Sequence, residues 1–106
     1  MSTDPVILND FQKRLEQRLN AALKELTLHV DRRRVGREEV LYSRQPEAVL
    51  HLSAQDLEVR IREESVSFTI SGKGDYYEMP DYSNADALAD AFLAALTERW
   101  HKRQRT

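Results

Sequence analysis

From residue 57 to residue 71, apolar and polar side chains alternate in two successive runs. Leu57, Val59 and Ile61 interleave with Glu58, Arg60 and Arg62, and Val66, Phe68 and Ile70 interleave with Ser65, Ser67, Thr69 and Ser71. A period of two marks half-buried strands, and two such runs across a short break form a hairpin. If both apolar sets face one core, Ile61 stands opposite Val66, Val59 opposite Phe68 and Leu57 opposite Ile70. The other face of the ribbon then carries Glu58, Arg60, Arg62, Ser67 and Thr69. The Glu63-Glu64 break lacks the Gly or Asn that tight two-residue turns at positive φ require. A four-residue loop over 62–65 keeps the register without that strain.

Helical spacing dominates both ends. Phe11, Leu15, Leu19, Ala22, Leu23 and Leu26 form one apolar stripe, and Asn9 with Gln12 three residues later reads as a capping box. The spacing predicts a helix over about 10–28. The 4-3-4 steps of Leu15, Leu19, Ala22 and Leu26 also suit a second protomer, but a sheet that needs covering accounts for them more simply. A second stripe runs through Ala85, Leu88, Ala89, Phe92, Leu93, Leu96 and Trp100. Ser83 is its expected N-cap, with Asp86 three residues on, and its end is expected near His101. Residues 1–8 read as a short flexible leader and 102–106 as a fraying basic tail.

The middle of the chain is less regular. Residues 31–37, with Arg32, Arg33, Arg34 and Arg37, read as a loop. Residues 39–44 and 47–53 read as strands around a turn at Gln45-Pro46, because proline cannot donate to a ladder. Turns are expected at 54–56 and at Gly72-Lys73-Gly74-Asp75, with a short strand over 76–79 stopped at Pro80. The order is therefore helix, four or five antiparallel strands, helix. The expected fold is a single α+β domain over 1–106, a two-layer sandwich with the N- and C-terminal helices on one face of an antiparallel sheet. The other face stays in water.

Composition narrows the classes. A chain of 106 residues has room for one core. With 41% apolar and 32% charged residues it is neither disordered nor low in complexity. A net charge of −2 argues against a broadly basic nucleic-acid binder. Without cysteine there is no disulfide, thiol catalysis or cysteine-based zinc site. The start, MSTDPVILNDF, has no secretory-signal pattern, and no run reaches the roughly 20 apolar residues of a membrane span. A cytoplasmic protein with no membrane partner is expected. Charge is segregated along the chain: residues 74–98 hold acids and no Lys or Arg, whereas 11–37 are mainly basic. That pattern can steer a partner. It can also bring a basic first helix against an acidic second one, which is the simpler account where the two share a sheet face.

Candidate chemistry is sparse. There is no G-x-S-x-G, H-E-x-x-H, P-loop or dinucleotide fingerprint. His29, His51 and His101 fall on different elements without motif neighbours, so no catalytic residue is assigned. Asp75, Glu78 and Asp81 do not have the spacing of a calcium loop, and no metal or other cofactor is assigned. Tyr76, Tyr77 and Tyr82 beside these acids offer contact area at low entropic cost. On a strand Tyr76 and Tyr77 face opposite sides, so at most one of them is core. The expectation is a small non-enzymatic interaction module (adaptor, chaperone-like or inhibitor), monomer or homodimer. It would contact another protein through Arg60, Arg62, Tyr76, Tyr77 and Tyr82. Reversing the charge at Arg60 and Arg62 is expected to weaken capture without unfolding. The alternative is nucleic-acid binding through Arg32, Arg33, Arg34, Arg37 and the tail, since Arg forks grip phosphates. Against it, the 57–71 ribbon lacks the outward aromatics of RNA-reading sheets. A small enzyme or ligand carrier with a pocket is the second alternative.

Overall fold

The structure is a computed structural model that describes residues 6–41, 43–52 and 56–104. In chain order the elements are α1 (Asp10–Glu25), β1 (Arg32–Val40), β2 (Ser43–Leu52), β3 (Leu57–Ile61), β4 (Ser65–Ile70), β5 (Lys73–Glu78), a short 3-10 turn (Met79–Asp81) and α2 (Ala85–Gln104). The strands form one open sheet in sequential order, each antiparallel to its neighbour. This is the expected α+β arrangement, with both helices on one face.

The β3–β4 register is the one the alternation dictates, with Leu57, Val59 and Ile61 opposite Ile70, Phe68 and Val66. Ala48, Leu50 and Leu52 carry the same apolar face onto β2, and Tyr77 carries it onto β5 opposite Val66. Leu15, Leu19 and Leu23 of α1 and Leu88, Phe92, Leu96 and Trp100 of α2 close over it. Phe92 meets Phe68 edge-on at 5.7 Å between ring centroids. Each fully buried side chain of this size is worth about 1.5–3 kcal/mol, so this layer is the main source of stability. Gly74 has its own packing reason: a Cβ there would lie 1.7 Å from the Phe68 carbonyl oxygen.

Both ends of α1 are chemically defined. Asn9 and Gln12 form both halves of the capping box. Gln12 is fully buried, and its Nε2 donates to the carbonyls of Pro46 (2.9 Å) and Ile61 (3.4 Å). The helix ends at Glu25, not near residue 28. Thr27 takes a φ of 56°, its N–H donates to the Lys24 carbonyl, and the Leu28 N–H donates to the Leu23 carbonyl. That is a Schellman close, which turns Leu28 back into the core. Leu8 is also a core residue, so the expected leader ends inside the packed layer.

The middle of the chain departs most from expectation. Residues 32–37 are not a loop but most of the edge strand β1, which continues through residues 39 and 40, where a strand was expected, and is paired with β2 along its length. Val35 alone gives it an apolar inward position, so the pattern was too weak to read. Pro46 lies within β2, and the chain turns from Leu41, with Val40 opposite Ser43. Proline is tolerated there because its ring nitrogen points to the side where β3 has already ended. Its carbonyl, which faces the same way, is taken by Gln12. The 54–56 turn lies largely outside the described residues, although Asp56 has a turn-like φ of 52°. The β4–β5 turn is Ser71-Gly72, at φ 54° and 83°. Lys73, Gly74 and Asp75, expected in a turn, therefore belong to β5.

Asn84, not Ser83, caps α2, its Oδ1 accepting from the Ala87 N–H at 2.8 Å. The helix continues to Gln104, so 102–104 are helical where a frayed tail was expected. Arg14 pairs with Asp86 at 3.2 Å, and Arg18 pairs with Asp90 and, at 3.9 Å, with Asp86. The basic helix thus lies against the acidic one. Because the numbers rise together across these pairs, the two helices run in the same direction.

Candidate interaction face

The strand registers decide which side chains share the solvent side of the sheet. Reading across the strands, one row holds Arg32, His51, Glu58 and Thr69. The next holds Arg34, Val49, Arg60, Ser67 and Tyr76. A third holds Glu47, Ser65 and Glu78, with Glu38 and Gln45 one step further along the β1–β2 arm. Arg62 follows β3 and lies on the same side, its guanidinium donating to Ser67 Oγ at 3.3 Å.

At the centre is an ion-pair network. Arg62 Nε donates to Glu38 Oε2 at 2.8 Å. Arg60 lies 3.2 Å from Glu58, 3.7 Å from Glu38 and 3.9 Å from Glu47. Glu47 is only 7% exposed, and its Oε2 has no hydrogen-bond partner among the described residues. The Arg62 hydrogen bond holds the Glu38 carboxyl below the usual carboxylate range. Burial opposes that shift, and the charges of Arg62 and Arg60, with a smaller contribution from the Glu47 carboxyl, support it. Arg62 also sits over the Tyr76 ring, 5.9 Å from its centroid.

Of the five residues expected to bind a partner, Arg60, Arg62 and Tyr76 come together here. Tyr76 is 54% exposed. Tyr77 and Tyr82 do not join them. Tyr77 faces the helices and meets Phe92 edge-on at 5.9 Å, and Tyr82 packs against the core. Burial raises the Tyr77 phenol above its ordinary pKa, with Asp75 and Tyr82 adding to the rise and Arg99 opposing it. The network also changes the expectation for Arg60 and Arg62. Arg60 stands nearest buried Glu47, so reversing its charge would strand a buried carboxylate and cost stability.

The four arginines of the alternative reading are split by the strand. Arg32 and Arg34 are on the open face, whereas Arg33 turns to the helix side and donates to Glu16 of α1 at 2.7 Å. Arg37 shares that side. Arg32 and Arg34 have no carboxylate partner among the described residues. With Val49, His51, Glu58 and Arg60 they line a shallow depression of about 220 Å³. Their place beside His51 and Arg60 was not readable from sequence, because it depends on where the β1–β2 turn falls. A wider cleft of about 570 Å³ at the other end of the face includes Glu38, Arg62, Glu64, Tyr76 and Glu78.

Among the described residues, no group of three His, Asp or Glu side chains converges as a metal site would need. Asp75, on β5, is instead 3.7 Å from Arg99. No helix among these residues is long and apolar enough to cross a membrane. Compared with protein-family models, curated proteins and solved structures, the chain finds no match.

Proposed function

We propose that the protein is a small non-enzymatic interaction module of the cytoplasm that holds an acidic segment of another protein on the open face of its sheet. One observation carries this reading. Arg32 and Arg34, without a carboxylate partner among the described residues, lie on that face around an apolar floor at Val49, beside a network that already fixes Arg60 and Arg62. Free guanidinium forks suit carboxylates of a partner, because among the described residues no ion pair of theirs has to be broken first. Tyr76, stacked by Arg62, supplies an aromatic anchor at the far edge.

The test is capture from native lysate with quantitative mass spectrometry, comparing wild type with Arg32→Glu/Tyr76→Ala. Both sites are exposed, so circular dichroism should be unchanged. Specific partners should fall by about tenfold, roughly 1.4 kcal/mol. Equal recovery with both chains would remove this face from the proposal.

A second reading has one observation in its favour. Tyr76 is an outward aromatic on the same face as Arg32, Arg34 and Arg60, and RNA-reading sheets use such a residue as a stacking platform. Binding of single-stranded RNA that collapses with salt and with Tyr76→Ala would favour this reading over the protein partner.

A further inference from the structure

We propose that the outer edge of β1 pairs antiparallel with the same edge of a second copy of this chain, centred on Gly36, to join two sheets into one. The inference rests on the order of charges along β1, of which Arg34 and Glu38 also lie on the open face, and on its hydrogen-bond phase. β1 ends the sheet on one side, and no described group bonds its outer edge. A charged edge normally discourages pairing with other chains. Here the charges are ordered: Arg32, Arg33 and Arg34 come first, Glu38 and Glu39 last. A copy turned antiparallel therefore meets its own complement.

The backbone selects the register. The Pro46 carbonyl is bonded by Gln12 and faces away from β1. The Arg62 N–H donating to the Ser65 carbonyl sets the same phase through β3. Arg37, opposite Pro46, must then direct its own N–H and C=O outward, as must Arg33, Val35 and Glu39. Hydrogen bonding across a two-fold axis requires these outward residues to face one another. Registers that keep most of the strand paired are then centred on Val35, Gly36 or Arg37. Centring on Val35 sets Arg33 against Arg37 of the other copy, and centring on Arg37 sets Arg37 against itself. Centring on Gly36 sets Arg33 against Glu39 and Arg34 against Glu38, twice over, with no like charges opposed. The residue on the axis has no side chain, and a Cβ there would meet open space. In this register residues on the same face stand opposite each other, so both helix layers lie on one side and both open faces on the other.

A single edge pair buries less than the roughly 1,200 Å² of a stable interface. The dimer is therefore expected at about 100 µM and low salt and is expected to dissociate as salt screens the cross-strand pairs. Sedimentation velocity tests it. Wild type should move from 12.3 kDa toward twice that mass with concentration. Arg33→Glu and Glu39→Arg should each be monomeric, because each sets like charges against one another. An equimolar mixture should restore the dimer, since the variant strands complement each other. Arg37→Pro should also be monomeric with an unchanged circular dichroism spectrum, because it removes only an outward N–H. If a charge variant fails to fold, Arg37→Pro decides. Wild type that stays at 12.3 kDa throughout, a dimer that survives Arg37→Pro, or a mixture of folded variants that stays monomeric would overturn the proposal.

Discussion

Thr27 closes α1 with a φ of 56°, a conformation that costs a β-branched residue free energy and costs glycine little. The surrounding bonds explain why it persists: the Schellman pair satisfies carbonyls at the helix end, and Leu28 is buried by the same bend. Thr27→Gly should therefore keep the fold and raise unfolding free energy by about 0.5–1 kcal/mol. Urea denaturation would show this as a higher midpoint at constant slope. A lower midpoint would mean that the hydrogen bond from Thr27 Oγ1 to the Leu26 carbonyl outweighs the strain. At this scale Asn9 and Gln12 were legible from spacing alone. Thr27 was not, because threonine carries no signal for a left-handed cap.

Among the elements, the open-face network ties β1 and β2 to β3, because Glu38 and Glu47 both meet arginines on or just after β3. The Glu38 carboxyl is depressed by Arg62, so its contribution is present above the unfolded value of 4.5 and is lost as pH falls through the folded value below it. Glu38→Gln should cost about 1–2 kcal/mol at pH 7. The cost should shrink toward zero at a second, acidic pH below the folded value, where the wild-type carboxyl is itself protonated. Denaturant titrations of both chains at the two pH values check the sign, and a penalty independent of pH would refute it. The β3–β4 hairpin was readable to the residue because both strands alternate strictly and only one pairing buries both apolar sets. β1 was not, because Val35 is its single apolar inward residue. Pro46 misled for a related reason: its missing N–H matters only on a side that carries a ladder, and β3 stops short of it. The candidate face inherited the same limits. Arg60 and Arg62 followed from the hairpin, whereas Arg32, Arg34 and Tyr76 could be placed beside them only once the turns flanking β2 and β5 were known.

At the scale of the molecule, the two helices share a sheet face and an exposed set of ion pairs. Parallel neighbouring helices align their dipoles unfavourably, and the Arg14, Arg18, Asp86 and Asp90 pairs offset this. Exposed pairs are individually weak. Arg18→Glu should lower stability by about 1 kcal/mol at low ionic strength, and the loss should shrink toward zero near 1 M salt, where the screening length falls to about 3 Å. Thermal melts across a salt series would measure it. A loss that persists in high salt would mean that the Arg18 stem, not its charge, is what matters.

The shared direction of the helices has a consequence for how such a chain can change. Between them the backbone reverses at every turn, and an odd number of strands is what returns α2 parallel to α1. Gain or loss of one strand would deliver α2 upside down, with its acidic start at the wrong end of α1. Gain or loss of a complete hairpin would not. The sheet can therefore be lengthened or trimmed in steps of two strands while the contact between the helices survives, and grafts or deletions intended to keep this scaffold should respect that step.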